Sequence, residues 1–400
     1  LLSNRFSPSV YLFFDAAQSF SFALWSTLTA LYRIQVVGLD PFQLILLGTV
    51  LELTIFMLEV PTGIVADVYS RRLSVIIGVF LMGLGFMLEG LFPFFATVVV
   101  AQVLWGIGAT FESGARDAWL TDEVGEEKAG QLFLRSTQLR QMGTFLAIPS
   151  AVALSYISLN APLIAGGVCF LLLALGLFLF LPETTFVRHE SSHNPFLAIR
   201  QTFQGGLGVA RAKPLLLTIF MITAILGASS ETFDRLWEAK VLEVGLPAFF
   251  SNPALAFGAI EMTALVLVIA VTQVIVNRVK TEKHQAVARA LLVINVLLTL
   301  AVVGFGLSGW FYLDLAFYWT AVTLRTLNGP LSRAWLNQSL ESRTRATVFS
   351  MNNQMDAIGQ LAGGPLLGLI ANRSISLAFV VAGLLLLPAS WLYVRTLRKN

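Results

Sequence analysis

Charge is scarce in this sequence: Asp, Glu, Lys and Arg make up 12% of 400 residues, about half the share usual in soluble proteins. Cysteine is scarcer still, with Cys169 alone, so no intrachain disulfide can form. The three histidines, His189, His193 and His284, fall between apolar runs, and no Cys/His metal site or cofactor is expected. No glycine-rich GxxxxGK[ST] loop is present to cradle a nucleotide's phosphates, which argues against ATP-driven work. CxxC and GxSxG are missing as well, and no enzyme chemistry is expected. Arginine clusters border apolar runs and act as topology signals, not as a nucleic-acid surface.

What the chain has in abundance is apolar length. It is 56% hydrophobic, with a mean hydropathy of +0.77, and its apolar stretches near twenty residues match the bilayer core when helical. Lipid leaves only helices or closed barrels, and continuous runs without ten-residue alternation exclude the barrel. The pattern predicts an all-α polytopic membrane protein with twelve transmembrane helices. The spans fall at 10–36, 42–66, 73–93, 95–118, 131–157, 161–181, 214–237, 254–277, 285–307, 311–333, 348–371 and 375–395. The first run is too long, and with Asp15, Gln18 and Ser19 too polar, for a cleavable signal peptide. With both ends cytoplasmic, Arg33, Arg235, Lys240 and Arg373 fall outside and Arg140 and Arg325 within spans. The rest of the 26 Lys and Arg lie on the inner side, as the positive-inside rule requires.

The longest polar break separates spans six and seven. There Asn194-Pro195 reads as a cap and first helical residue, and Phe196, Ile199, Phe203 and Leu207 follow at helical spacing. This predicts a short amphipathic helix on the cytoplasmic membrane surface. The domain reading is therefore an N-terminal six-helix bundle over 1–187, a cytoplasmic linker over 188–213 and a C-terminal six-helix bundle over 214–400. An internal repeat supports two equivalent halves. Ala118-Trp119-Leu120 returns 216 residues later as Ala334-Trp335-Leu336, and at the same shift Phe133 meets Phe349, Gln138 meets Gln354, Gly143 meets Gly359 and Pro149 meets Pro365. Parallel six-helix halves related by an axis along the membrane normal are a recurrent transporter plan.

Charge gathers at the end of the second span, where Glu59, Gly63, Asp67, Arg71 and Arg72 follow one another. The stretch Gly63-Ile-Val-Ala-Asp67-Val-Tyr-Ser-Arg71-Arg72 resembles the loop signature between helices two and three of the major facilitator superfamily. With the six-plus-six plan, the resemblance covers nearly the whole chain and is greatest to the twelve-helix drug:proton antiporter type. Val68 and Ser70 depart from the signature, where many members carry arginine and glycine. Span 5 also lacks the glycine-rich run of the antiporter signature; it has only Gly143 and Pro149, and Gly363-Gly364-Pro365 lies on span 11. The resemblance implies a cytoplasmic gate: Asp67 faces the N-terminus of helix eleven, and Arg71 and Arg72 pair with Asp117 or Asp122. Gly63 would let a neighbouring helix pass closely.

Ionisable residues inside spans are costly and mark function. Glu52, Glu112, Arg140, Glu231, Glu261, Arg325 and Asp356 are the candidates for substrate binding and proton coupling. Helical spacing puts Gly48, Glu52, Glu59 and Gly63 on one face. Matching depth predicts two charge pairs, Glu112–Arg140 and Arg325–Asp356. The resemblance places helices 1, 4, 7 and 10 around a cavity and helices 2, 5, 8 and 11 between the halves; spans 3, 6, 9 and 12 read as nearly featureless supports. The function expected is secondary active transport by alternating access: proton-coupled export of amphipathic or cationic small molecules by a monomer in the plasma membrane. Uptake of a metabolite or organic anion, lipid or lysolipid translocation, and a non-transporting receptor or scaffold are the alternatives.

Overall fold

The computed structural model describes residues 8–184, 214–250, 252–276, 284–338, 340 and 345–399. The amphipathic linker helix expected over 188–213 lies outside these residues. Every regular element among the described residues is helical, and the elements form twelve spanning units, labelled here α1 to α12. In the first half these are α1 (8–37), α2 (Pro41–Val68), α3 (Arg71–Leu91), α4 (Phe95–Val124), α5 (Glu126–Ser155) and α6 (Ala161–Phe180). In the second they are α7 (Pro214–Val244), α8 (Pro253–Val276), α9 (His284–Leu307), α10 (Phe311–Asn337), α11 (Arg345–Ala371) and α12 (375–399).

Eight of the twelve are long and apolar enough to cross a membrane by length and composition. The other four are α1, α5, α10 and α11. They carry polar stripes such as Asp15 and Gln18, Gln138 and Arg140, Arg325 and Asn328, and Asn352 to Gln360. A stripe that faces protein or a cavity lowers mean hydropathy without preventing a span.

Three helices are interrupted. In α1 the hydroxyls of Thr27 and Thr29 donate to carbonyls four residues back, on Ala23 and Trp25. Such back-bonding competes with the helix ladder, and a π-turn over Arg33–Val37 ends α1 at Gly38. In α4 the break falls at Ser113 and Gly114, where Gly114 has φ +71°, a conformation that favours glycine. In α12 it precedes Leu387-Pro388, where proline removes a backbone donor.

The chain divides into two compact units, one formed by residues 1–39 and 50–198 and the other by 40–49 and 199–400. Each has its own core, built on Tyr11, Trp25, Phe86, Trp119 and Phe170 in the first and on Leu216, Phe220, Leu291, Trp335 and Tyr393 in the second. Helix pairing repeats between them. In the first unit α1 packs on α5 and α6, and α3 on α4 and α6; in the second α7 packs on α11 and α12, and α9 on α10 and α12. The glycines of the sequence repeat do the same work in both. A Cβ on Gly143 would lie 2.5 Å from the Ala16 carbonyl oxygen, and one on Gly359 would lie 2.1 Å from that of Ala224. Only glycine lets α5 cross α1, and α11 cross α7, at that distance.

Candidate functional site

At the α2–α3 turn, Arg71 reaches both acids offered to it. Its Nη1 pairs with Asp122 and its Nη2 lies 3.3 Å from Asp67 Oδ1. Asp122 sits at the end of α4 because the helix restarts after Gly114 and carries it round to α3. Arg72 takes neither Asp117 nor Asp122. Its Nη2 donates to the Phe178 carbonyl at 2.6 Å, and its backbone N–H donates to Glu183 Oε1 at 3.0 Å. Glu183 also accepts from Ser70 Oγ at 2.6 Å, and Ser70 Oγ caps α3 by accepting from the Leu73 N–H. The serine that departs from the signature is therefore a helix cap. Within its own unit, a Cβ on Gly63 would meet nothing within 4 Å, so no close helix passage there explains that glycine. Glu59 is half-buried on α2.

The second cluster surrounds the break in α4. Glu112, the last residue before it, and Arg116, on the first turn after it, meet at 2.8 Å. Gln18 on α1 donates to Glu112 Oε2 at 2.7 Å and accepts from Arg116 Nη1 at 3.1 Å. Asp15, one turn earlier on α1 and 1% exposed, lies 3.3 Å from the same Nη1. Two buried carboxylates thus share one guanidinium, while the exposed Asp117 lies at 3.7 Å from Arg116 Nε. A cavity of about 540 Å³ opens against this cluster, with Phe22, Trp105 and Phe170 on its apolar side. Arg140 lines the cavity from α5, but the partner of Glu112 is Arg116. The pairing expected from depth is corrected here. Arg116 stands one helical turn from Glu112 and reaches it at 2.8 Å, whereas Arg140 is exposed and makes no ion pair among the described residues.

In the second unit Arg325 on α10 grips Asp234 on α7, not Asp356. Both N–H···O bonds measure 2.6 Å, the parallel fork that matches guanidinium to carboxylate. Asp234 wins by facing α10 directly, whereas Asp356 on α11 accepts from its own Gln360 at 2.9 Å. The Arg325 guanidinium also lies 5.0 Å over the Phe233 ring. Phe233 stacks on Tyr318, and Tyr318 on Trp237 at 4.2 Å. Two cavities, of about 420 and 400 Å³, share Phe233, Asp234 and Arg325 as wall, and Asp356 lines the larger. Glu231, 2% exposed, pairs with Arg235 at 3.4 Å. A Cβ on Gly48, which belongs to the same unit, would sit 1.8 Å from Glu231 Oε2. Glu52 and Glu261 are half-buried on α2 and α8, and both have interaction partners.

Several buried groups lie where the sequence points to none. Glu89 on α3, a span that reads as featureless, is 0% exposed. It holds Arg33 through two bonds of 2.7 and 3.1 Å, and Tyr32 donates to its carbonyl at 2.8 Å. Arg33 belongs to the π-turn and is buried. In α9, Asn295 is fully buried and donates to Ser390 at 2.8 Å. Lys240, also buried, donates to Ser376 at 2.6 Å, and Asp314 at the start of α10 is 0% exposed. Helix periodicity marks such positions only when the partner helix is known. His284 opens α9 and accepts from Trp335 Nε1 at 2.9 Å. The stretch His189-Glu190-Ser191-Ser192-His193 has HExxH spacing and lies outside the described residues. Among those residues, no three His, Cys, Asp or Glu gather as a metal site.

The model of the Major Facilitator Superfamily matches residues 12–331. An uncharacterized MFS-type transporter of Bacillus subtilis (strain 168), YxaM, is 27% identical over 96% of this chain and 94% of its own. Among solved structures, the nucleoside transporter NupG superposes with a TM-score of 0.75 at 12% identity, covering 98% of this chain and 99% of that one. A bacterial homologue of the human lysosomal transporter Spinster, inward-facing and unoccupied, gives a TM-score of 0.76 at 15% identity over 100% and 98%. A POT family transporter in complex with a thioalcohol-conjugated peptide gives 0.74 at 14% identity over 98% and 96%. At these identities the structural likeness carries the fold.

Proposed function

The chain belongs to the Major Facilitator Superfamily, and from that premise we propose that it exchanges protons for a cationic, amphipathic small molecule. A transporter of this family is not an enzyme, so the cavity's work is binding and release. Asp67 and Arg71 are the gate residues in this reading. Export by a monomer of the plasma membrane is the direction and setting proposed.

One observation carries the reading, the cavity beside the α4 break. Asp15, Glu112 and Arg116 together bear one net negative charge when all are ionised; the two acids are buried, and Glu112 and Arg116 line the cavity with its aromatic wall. A buried excess charge must be balanced. A proton on one carboxylate balances it in one state, and a ligand cation balances it in the other. Phe22, Trp105 and Phe170 suit the apolar body of such a ligand and present ring faces to its charge. Competition of proton and cation for one excess charge makes the two fluxes opposite.

The test is flux in proteoliposomes under an imposed proton gradient, with a panel of cationic dyes, nucleosides, short peptides and lysolipids. Cation movement against the gradient, lost in Glu112→Gln, supports the proposal. A sodium gradient that drives flux at matched pH with no response to protons overturns it. A second reading has its own observation: Arg140 lines the cavity and makes no ion pair among the described residues. It favours uptake of an organic anion, which organic anions added to the same panel test by their proton-driven accumulation.

A further inference from the structure

Two charge pairs that bridge different helices, one in each unit, are built differently. Arg33 and Glu89 have side chains 5% and 0% exposed and are locked by neighbours on every side. Arg325 and Asp234 form an equally well-aligned fork, yet their side chains are 26% and 47% exposed. They stand as the shared wall of two cavities. Its exposure leaves Asp234 reachable from those cavities, which a strut alone does not require.

The surroundings of the Arg325 guanidinium read as a ligand site with its ligand in place. On one edge a carboxylate accepts two parallel N–H bonds. On one face lies Phe233, the end of a column that continues through Tyr318 to Trp237. A carboxylate that accepts two parallel N–H bonds and an aromatic face are the two features that recognise a planar cation and discriminate it from an ammonium. The smaller cavity, of about 400 Å³, adjoins both and includes Trp237, Tyr318 and Thr326, which leaves room for a molecule that approaches Asp234 from that side. A displaced arginine also has somewhere to go. Asp356 lines the larger cavity that Arg325 also lines.

We propose that Arg325 is a resident ligand mimic, and that the Asp234–Phe233 corner it fills is a binding site for guanidinium and amidinium compounds. The inference rests on the cation-transport reading and narrows its substrate class. An incoming amidinium takes the fork on Asp234 and the end of the aromatic column, and Arg325 swings toward Asp356. No bond is made or broken; one guanidinium is exchanged for another planar cation.

Binding to the purified full chain in lipid nanodiscs tests this, by calorimetry and by Trp fluorescence, with benzamidine and phenylguanidine against benzylammonium and benzyltrimethylammonium. The planar probes are expected to bind tightest. If the mimic fills the site nine-tenths of the time, Arg325→Gln tightens benzamidine about tenfold, because the fraction of competent sites rises to one. Arg325→Lys, which keeps the charge but loses the fork, moves the same way. Asp234→Asn in the Arg325→Gln background abolishes the gain without leaving an unpaired arginine. Weaker benzamidine binding in both Arg325 variants overturns the proposal, as does equal wild-type affinity for benzyltrimethylammonium. Proton-driven flux of benzyltrimethylammonium in that last case leaves cation transport standing, whereas absence of flux for every cation sinks the broader reading.

Discussion

Removing Glu89 tests whether the first unit depends on a charge pair that lies in a helix of apolar appearance. Glu89→Ala leaves the Arg33 guanidinium in a site where its side chain is 5% exposed. The Trp25 ring, 5.7 Å from the guanidinium carbon, offers it a π face but no counter-charge. Breaking one side of a buried pair costs about 3–5 kcal/mol, most of it the penalty of the stranded charge. For a body of roughly 150–250 residues each kcal/mol moves the midpoint by about 2–4 °C. Glu89→Ala should therefore melt about 6–20 °C below the parent. The chain supplies its own reporter. Cys169 is the single cysteine and lies on α6, where neighbouring Gly167 and Phe170 pack against Met87 and Gly83 of α3. A thiol-reactive fluorophore added during a thermal ramp thus reads the opening of this unit. The double change Arg33→Met with Glu89→Leu removes both charges and should recover most of the loss. A single variant within about 2 °C of the parent would refute the reasoning. A double variant no better than Glu89→Ala would refute it too.

Asp67→Asn should slow transport and leave equilibrium binding unchanged. The Asp67 side chain is 51% exposed and Asp122 retains Arg71, so stability should change by less than about 1 kcal/mol; a proportional loss of affinity in a binding assay counts against a gate. Gly143→Val and Gly359→Val should each destabilise their own unit by about 1–3 kcal/mol or more through overpacking, measured by thermal unfolding, because a backbone carbonyl of the crossing helix stands in each Cβ's way. Gly63→Ala should keep or slightly raise stability, by about 0.5–1 kcal/mol, and transport lost at retained stability would assign that glycine to the gate. Arg116→Gln should destabilise by about 3–5 kcal/mol, since two buried carboxylates lose their cation, while Glu112→Gln should fold normally and uncouple proton movement in a dye-monitored flux assay.

The twelve helices were legible because an apolar run of bilayer length permits little else. The repeat was legible too, and its register proved physical: Gly143 and Gly359 occupy equivalent helix crossings. Arg71 with Asp122 could be read from a turn with few other partners, whereas its approach to Asp67 was not expected. Partner choice deeper in the bundles was not legible. Depth along the helix axis suggested Glu112 with Arg140 and Arg325 with Asp356, but pairing also depends on rotation about that axis. The break at Gly114 resets the rotation of Arg116, and Asp234 faces Arg325 across a single helix contact. Glu89 escaped notice because one acid near the end of an apolar span looks like a headgroup residue until the π-turn brings Arg33 to it.

The fork between Arg325 and Asp234 means that an arriving cation never meets an idle carboxylate. It meets a competitor on a tether, whose effective concentration is fixed by the chain at roughly the millimolar scale or above. Apparent affinity at Asp234 is then set jointly by the ligand and by how well Arg325 is received elsewhere. Asp356, which lines the larger cavity together with that arginine, therefore acts as a remote dial. Substitutions there would retune selectivity thresholds for every ligand by a common factor, leaving their rank order intact. A selection for altered sensitivity should collect mutations on α11 that never touch the transported molecule.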